Sequence, residues 1–132
     1  MRQKPALTAS DVQKMVAACK AEAAKNKWNV TIAIVDESGY LLYLERMDGV
    51  PPLTAKIAAG KAETAAISRR PTKFWEDRIK ERPGFVKAPI STPMQGGVPI
   101  LVQNDCVGAI GVSGVQSHED EQIANAGVAA VQ

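Results

Sequence analysis

Gly96–Gly114, GGVPILVQNDCVGAIGVSG, is the stretch whose pattern decides the fold. Val98, Ile100 and Val102 alternate with Pro99, Leu101 and Gln103, the period of two that marks a pleated strand. Asn104-Asp105 supplies a two-residue turn, since both residue types tolerate left-handed backbone. Cys106–Ser113 then returns as a second strand, with Cys106, Gly108, Ile110 and Val112 on one face and Val107, Ala109, Gly111 and Ser113 on the other. The small residues leave little side chain to cover the second strand. A helix, a ligand or a second subunit must therefore approach it closely.

Outward from this hairpin, the chain alternates helices and strand pairs. Thr8 caps a first helix with Asp11 three residues on, and Val12, Met15, Val16, Cys19 and Ala23 form its apolar stripe. Val30–Val35 is apolar on both faces, the mark of a central strand. Asp36–Gly39 turns the chain into Tyr40–Arg46, with Tyr40, Leu42, Leu44 and Arg46 on one face. Pro51-Pro52 leads into an alanine-rich helix over Leu53–Arg69, and Thr72 caps a short helix ended by Pro83-Gly84. Phe85–Met94, broken by prolines, reads as an edge strand, and Ser117 with Asp120 caps a last helix. Strand pairs joined by short turns give an α+β class, with one five-stranded antiparallel sheet flanked by helices in a single domain over 1–132.

Composition narrows the function. Sixteen cations against fourteen acids give +2, too little to imply a nucleic-acid partner through bulk charge. No segment approaches the length of an apolar membrane span or a signal peptide, so no membrane partner and a cytoplasmic location are expected. Cys19 and Cys106 fall in apolar patterns as buried thiols, and one histidine with no CxxC spacing predicts no metal site.

Three blocks, RMDGVPPLTAKIAAGKAETAA (46–66), GGVPI (96–100) and GAIGVSGVQSHEDEQIANAG (108–127), resemble in this order the GlcG/PduO C-terminal/HbpS family. The likeness spans about residues 8 to 131. It implies a profilin-like fold and homo-oligomers, and it admits haem-binding sensors, a domain attached to corrinoid adenosyltransferases, and members encoded among aromatic-degradation genes that resemble aminomuconate deaminases. Two positions depart from the family. Tyr40 stands where relatives often carry a histidine proposed to bind haem, and His118, the only histidine, stands in the loop after Gly114.

The primary expectation is a cytoplasmic, metal-independent hydrolase without a cofactor, acting on a small unsaturated carboxylate. Its most concrete form is deamination of a 2-aminomuconate-like enamine from aromatic catabolism, with an isomerase or hydratase left open by the residues themselves. His118 with Glu119 and Tyr40 would exchange protons with the substrate. Arg46, Asp48, Lys61, Arg69, Gly97 and Ser113 would bind it, the cations gripping carboxylates. Four of these also have a plain structural role: Arg46 and Asp48 as a turn-fixing pair, Arg69 at a helix end where positive charge is favourable, and His118 as a surface residue. The alternative is a haem- or corrinoid-binding module without turnover, its axial ligand Tyr40 or His118. A third is an oligomeric scaffold that takes no small ligand.

Overall fold

The computed structural model describes all of residues 1–132. Its elements run α1 (Ala9–Lys25), β1 (Thr31–Asp36), β2 (Leu41–Arg46), α2 (Leu53–Ser68), α3 (Thr72–Glu81), a 3-10 turn (Pro83–Lys87), β3 (Gly97–Val102), β4 (Asp105–Ser113) and α4 (Ser117–Ala129). The four strands form one antiparallel sheet in the order β2-β1-β4-β3.

The α+β class stands, but the five-stranded profilin-like sheet does not. The expected fifth strand, Phe85–Met94, is the 3-10 turn followed by irregular chain. Pro89 and Pro93 remove ladder donors, and α2 takes up the segment instead. Thr92 N donates to Thr64 Oγ1 at 3.0 Å, and Ser91 Oγ donates to the Gly60 carbonyl at 3.4 Å. β3 is thereby left as the sheet edge.

The two faces of the sheet have different covers. On one side α1 and α4 bury Met15, Cys19 and Ile123 against Ile32, Ile34, Ile110 and Val112. On the other, the alanines of α2 (58, 62, 65 and 66) pack on Ala33, Val35 and Ala109. The close neighbour required by the small face of β4 is thus a helix. A Cβ at Gly111 would collide with the Ala58 carbonyl oxygen, so this position must be glycine for α2 to lie so near.

Two bulges shift the expected faces. Opposite Ile100 and Leu101 of β3, β4 carries one extra residue, Val107, which joins Ile110 in the α1/α4 core while Cys106 turns its thiol to the Ala66 carbonyl of α2. Opposite Ile34 and Val35 of β1, β2 carries the extra residue Leu42, so Leu41 pairs with Val35 and Leu44 with Ala33, and Leu42 lies beside Leu7 and Val12. The hairpin turn is Gln103-Asn104, one residue earlier than expected, with φ of 52° and 70°. Thr8 and Asp11 do form the capping box of α1.

Candidate functional site

Asp36 shapes the turn that holds Tyr40. Its Oδ1 accepts from Ser38 N at 2.9 Å and Tyr40 N at 3.1 Å, while its own N–H donates to the Tyr40 carbonyl at 2.9 Å. Gly39 completes the bend at φ 89°. Tyr40 follows this bend and is 75% exposed.

α2 passes beside this turn with Ala59, Glu63 and Ile67 spaced four apart on its outer face. A Cβ on Gly39 would lie 2.9 Å from Glu63 Cγ, which measures how near the helix comes. Between turn and helix lies a cleft of about 530 Å³ lined by Val35, Ser38, Gly39, Tyr40, Leu41, Ala59 and Glu63. It offers an apolar floor, one phenol and one carboxylate. Leu41 and Leu44, 55% and 38% exposed, extend the floor along β2, because α2 lies over β1, β3 and β4 more than over this edge strand.

The remaining expected site residues stand elsewhere. Arg46 ends β2 roughly 20 Å along the strand from Tyr40, exposed like Asp48, and the two form no ion pair. Arg69 is the left-handed C-cap of α2, at φ 58°.

Lys61 is inside the fold, 1% exposed. Its Nζ donates to the Val112 carbonyl at 2.9 Å and to Asp120 Oδ2 at 3.1 Å, while Asp120 Oδ1 accepts from Val115 N at 3.1 Å. Burial pushes the Asp120 carboxyl above its ordinary value, against the pull of the Lys61 charge and the Val115 N–H. Gly97 packs against the Lys61 backbone, where a Cβ would collide with the Lys61 carbonyl oxygen, and Ser113 is buried opposite Thr31.

His118 is exposed in the first turn of α4. Glu119 accepts from the Gln116 backbone at 3.1 Å, so its carboxylate serves the helix start. The cap of α4 is Gln116 and not Ser117, because Asp120 is drawn inward to Lys61. The expected residues therefore divide among the Tyr40 cleft, the far end of β2, the C-terminus of α2 with Arg69, and the surroundings of the buried Lys61–Asp120 pair. Ala59 and Glu63 were missed, although their four-residue spacing with Ile67 on the KAETAA helix marks them as one face.

Comparison with known proteins places these features. Residues 7–129 match the family model described as "Haem degrading protein HbpS-like". Protein GlcG of Escherichia coli strain K12 is 44% identical over 114 residues, covering 86% of this chain and 85% of its own. The crystal structure of a double mutant of HbpS from Streptomyces reticuli has a TM-score of 0.91 at 32% identity, covering 100% of this chain and 91% of its own. The structure titled "PduOC:Heme Complex" shares the fold, with a TM-score of 0.86 at 24% identity over 96% of this chain and 95% of its own.

These matches correct the functional expectation. The haem-degrading-protein family model replaces the cofactor-free hydrolase, and with it the deaminase and aromatic-catabolism assignments. The geometry agrees with that correction: Lys61, one of the cations meant for the substrate carboxylates, is buried and already paired with Asp120. No helix is long and apolar enough to cross a membrane.

Proposed function

This chain belongs to the HbpS-like haem-degrading-protein family, and from that premise we propose that it binds haem in the cleft between the Asp36–Gly39 turn and α2. The observation that carries this is the place of Tyr40. The residue at the position where the resemblance puts an iron ligand stands on the wall of the cleft, exposed.

The residues fit the group. A phenolate oxygen is an established ligand for ferric haem. Val35, Leu41 and Ala59 line the cleft, and Leu44 extends their apolar surface along β2, which suits one face of a flat porphyrin. Its volume of about 530 Å³ falls within the usual range for small-molecule sites. When bound, haem would supply the iron and its redox chemistry; this chain supplies the phenolate, the apolar floor and the Glu63 carboxylate at the rim.

The same surface supports a second proposal, that the protein is a homo-oligomer. β2 is an edge strand with Leu41, Leu42 and Leu44 all exposed, a combination that invites pairing with another copy. Sedimentation at micromolar concentration is expected to give a multiple of 14.1 kDa. A clean monomer would remove this part and leave the haem proposal standing. The haem proposal is tested by ferric haem titration of the wild type and Tyr40 variants, with the outcomes set out at the end of the Discussion.

A further inference from the structure

Between Arg69 and Lys87 stand seven Lys/Arg against three Asp/Glu, a local charge of +4 in a chain of +2. Both phenylalanines and one of the two tryptophans fall in the same segment. α3 and the 3-10 turn fold this sequence into a ladder of guanidinium groups and rings. Arg70 Cζ lies 4.2 Å from the Phe74 centroid, Arg78 lies 5.2 Å from Phe74 and 5.9 Å from Phe85, and Arg82 lies 5.1 Å from Phe85. Trp75 meets Phe74 edge-on at 5.1 Å and Phe85 at a tilt at 5.7 Å.

At the open end of this ladder is a crevice of about 610 Å³ lined by Arg82, Pro83, Gly84, Phe85, Lys87 and Ala88. Neither Arg82 nor Lys87 has a carboxylate partner, since the segment's ion pairs are Lys73–Asp77 and Arg78–Glu81. A guanidinium resting on a ring keeps its in-plane N–H donors free and loses less freedom when it grips an oxyanion. Trp75 Nε1, beside Phe85, is buried without an acceptor. Such a donor marks an environment short of acceptor atoms.

We propose that this crevice is an anion site, separate from the Tyr40 cleft, for a small organic molecule with a flat apolar body and one phosphate or carboxylate group. Phe85 and Pro83 receive the body, and Arg82 and Lys87 receive the oxyanion. The inner rings, Phe74 and Trp75, are packed among themselves and their arginines, so they do not offer the row of free faces that a stacked single strand of nucleic acid requires.

The test uses phenyl phosphate and benzoate as probes, with inorganic phosphate and benzyl alcohol as partial ligands. Binding is read from tryptophan fluorescence and from the Trp75 indole resonance. Saturable binding of phenyl phosphate or benzoate, at least about tenfold tighter than either partial ligand, is expected. The preferred probe identifies the oxyanion. Arg82→Gln and Lys87→Gln, both at exposed positions, should each weaken binding about tenfold, while Tyr40→Phe leaves it unchanged. The proposal is overturned by absence of saturation in the millimolar range or by unchanged affinity in both glutamine variants. Binding only of a single-stranded RNA oligonucleotide, with steep salt dependence, would also overturn it.

Discussion

Lys61 Nζ and Asp120 Oδ2 stand 3.1 Å apart with side chains 2% and 3% exposed, a buried ion pair that ties the middle of α2 to the start of α4. The Val112 carbonyl and the Val115 N–H complete its hydrogen bonds. Gly96 makes room for it, since a Cβ there would lie 2.7 Å from Lys61 Nζ. The charge that the sequence offers as a ligand cation is a fixture of the fold.

Removing either partner should therefore destabilise the fold. Leaving one buried charge alone costs about 3–5 kcal/mol. Lys61→Met and Asp120→Leu should each lower the urea midpoint sharply. The double variant should recover much of the loss, because an apolar pair of similar volume leaves no lone charge. Additive losses would show that the two groups do not act as a pair.

α2 depends on Gly111 in a different way. Gly111→Ala places a methyl where the Ala58 carbonyl oxygen stands, and α2 must move off the sheet, at about 1–3 kcal/mol. Gly84→Ala is the control, since nothing lies within 4 Å of a Cβ there. Chemical denaturation should separate the two variants clearly. Equal stability would mean that α2 packs farther out than the structure has it.

Much of this frame is legible in the sequence, and the losses have physical causes. The Thr8–Asp11 box, the two-sided apolar β1 and the β3–β4 hairpin are local signals, and each folds as its pattern requires. The bulges at Leu42 and Val107 are not local. One extra residue on one strand reverses the faces beyond it, and period-two alternation carries no mark of where the partner strand skips. The cap of α4 moves from Ser117 to Gln116 because a lysine 59 positions away claims Asp120. Of the candidate site, Tyr40 was legible through the turn before it, whereas the cleft needed the path of α2 past that turn. Phe85 reaches the Trp75 ring because Pro83–Lys87 folds back as a 3-10 turn instead of leaving as a strand.

Cys19 sets an alkaline limit. Burial between α1 and α4 pushes its thiol from the ordinary 9.0 up to about 12, and Sγ faces the Ile123 carbonyl at 3.4 Å. The folded protein keeps this proton where the unfolded chain has lost it. Its contribution is thus whole below pH 9 and declines as pH rises toward 12. The slope is at most about 1.4 kcal/mol per pH unit. In urea titrations at rising pH, the stability gap between wild type and Cys19→Ala should narrow from pH 9 upward. A constant gap would contradict the shift.

The central claim is that Tyr40 holds haem iron at the cleft beside α2. Titration of the purified protein with ferric haem, followed through the Soret band, tests it most directly. The wild type should saturate at one haem per chain. Tyr40→Phe, which keeps the ring and removes only the ligand oxygen, should weaken binding at least about tenfold and change the spectrum. Tyr40→His should restore affinity with the spectrum of a nitrogen ligand. Haem binding in Tyr40→Phe with the affinity and spectrum of the wild type would contradict the account.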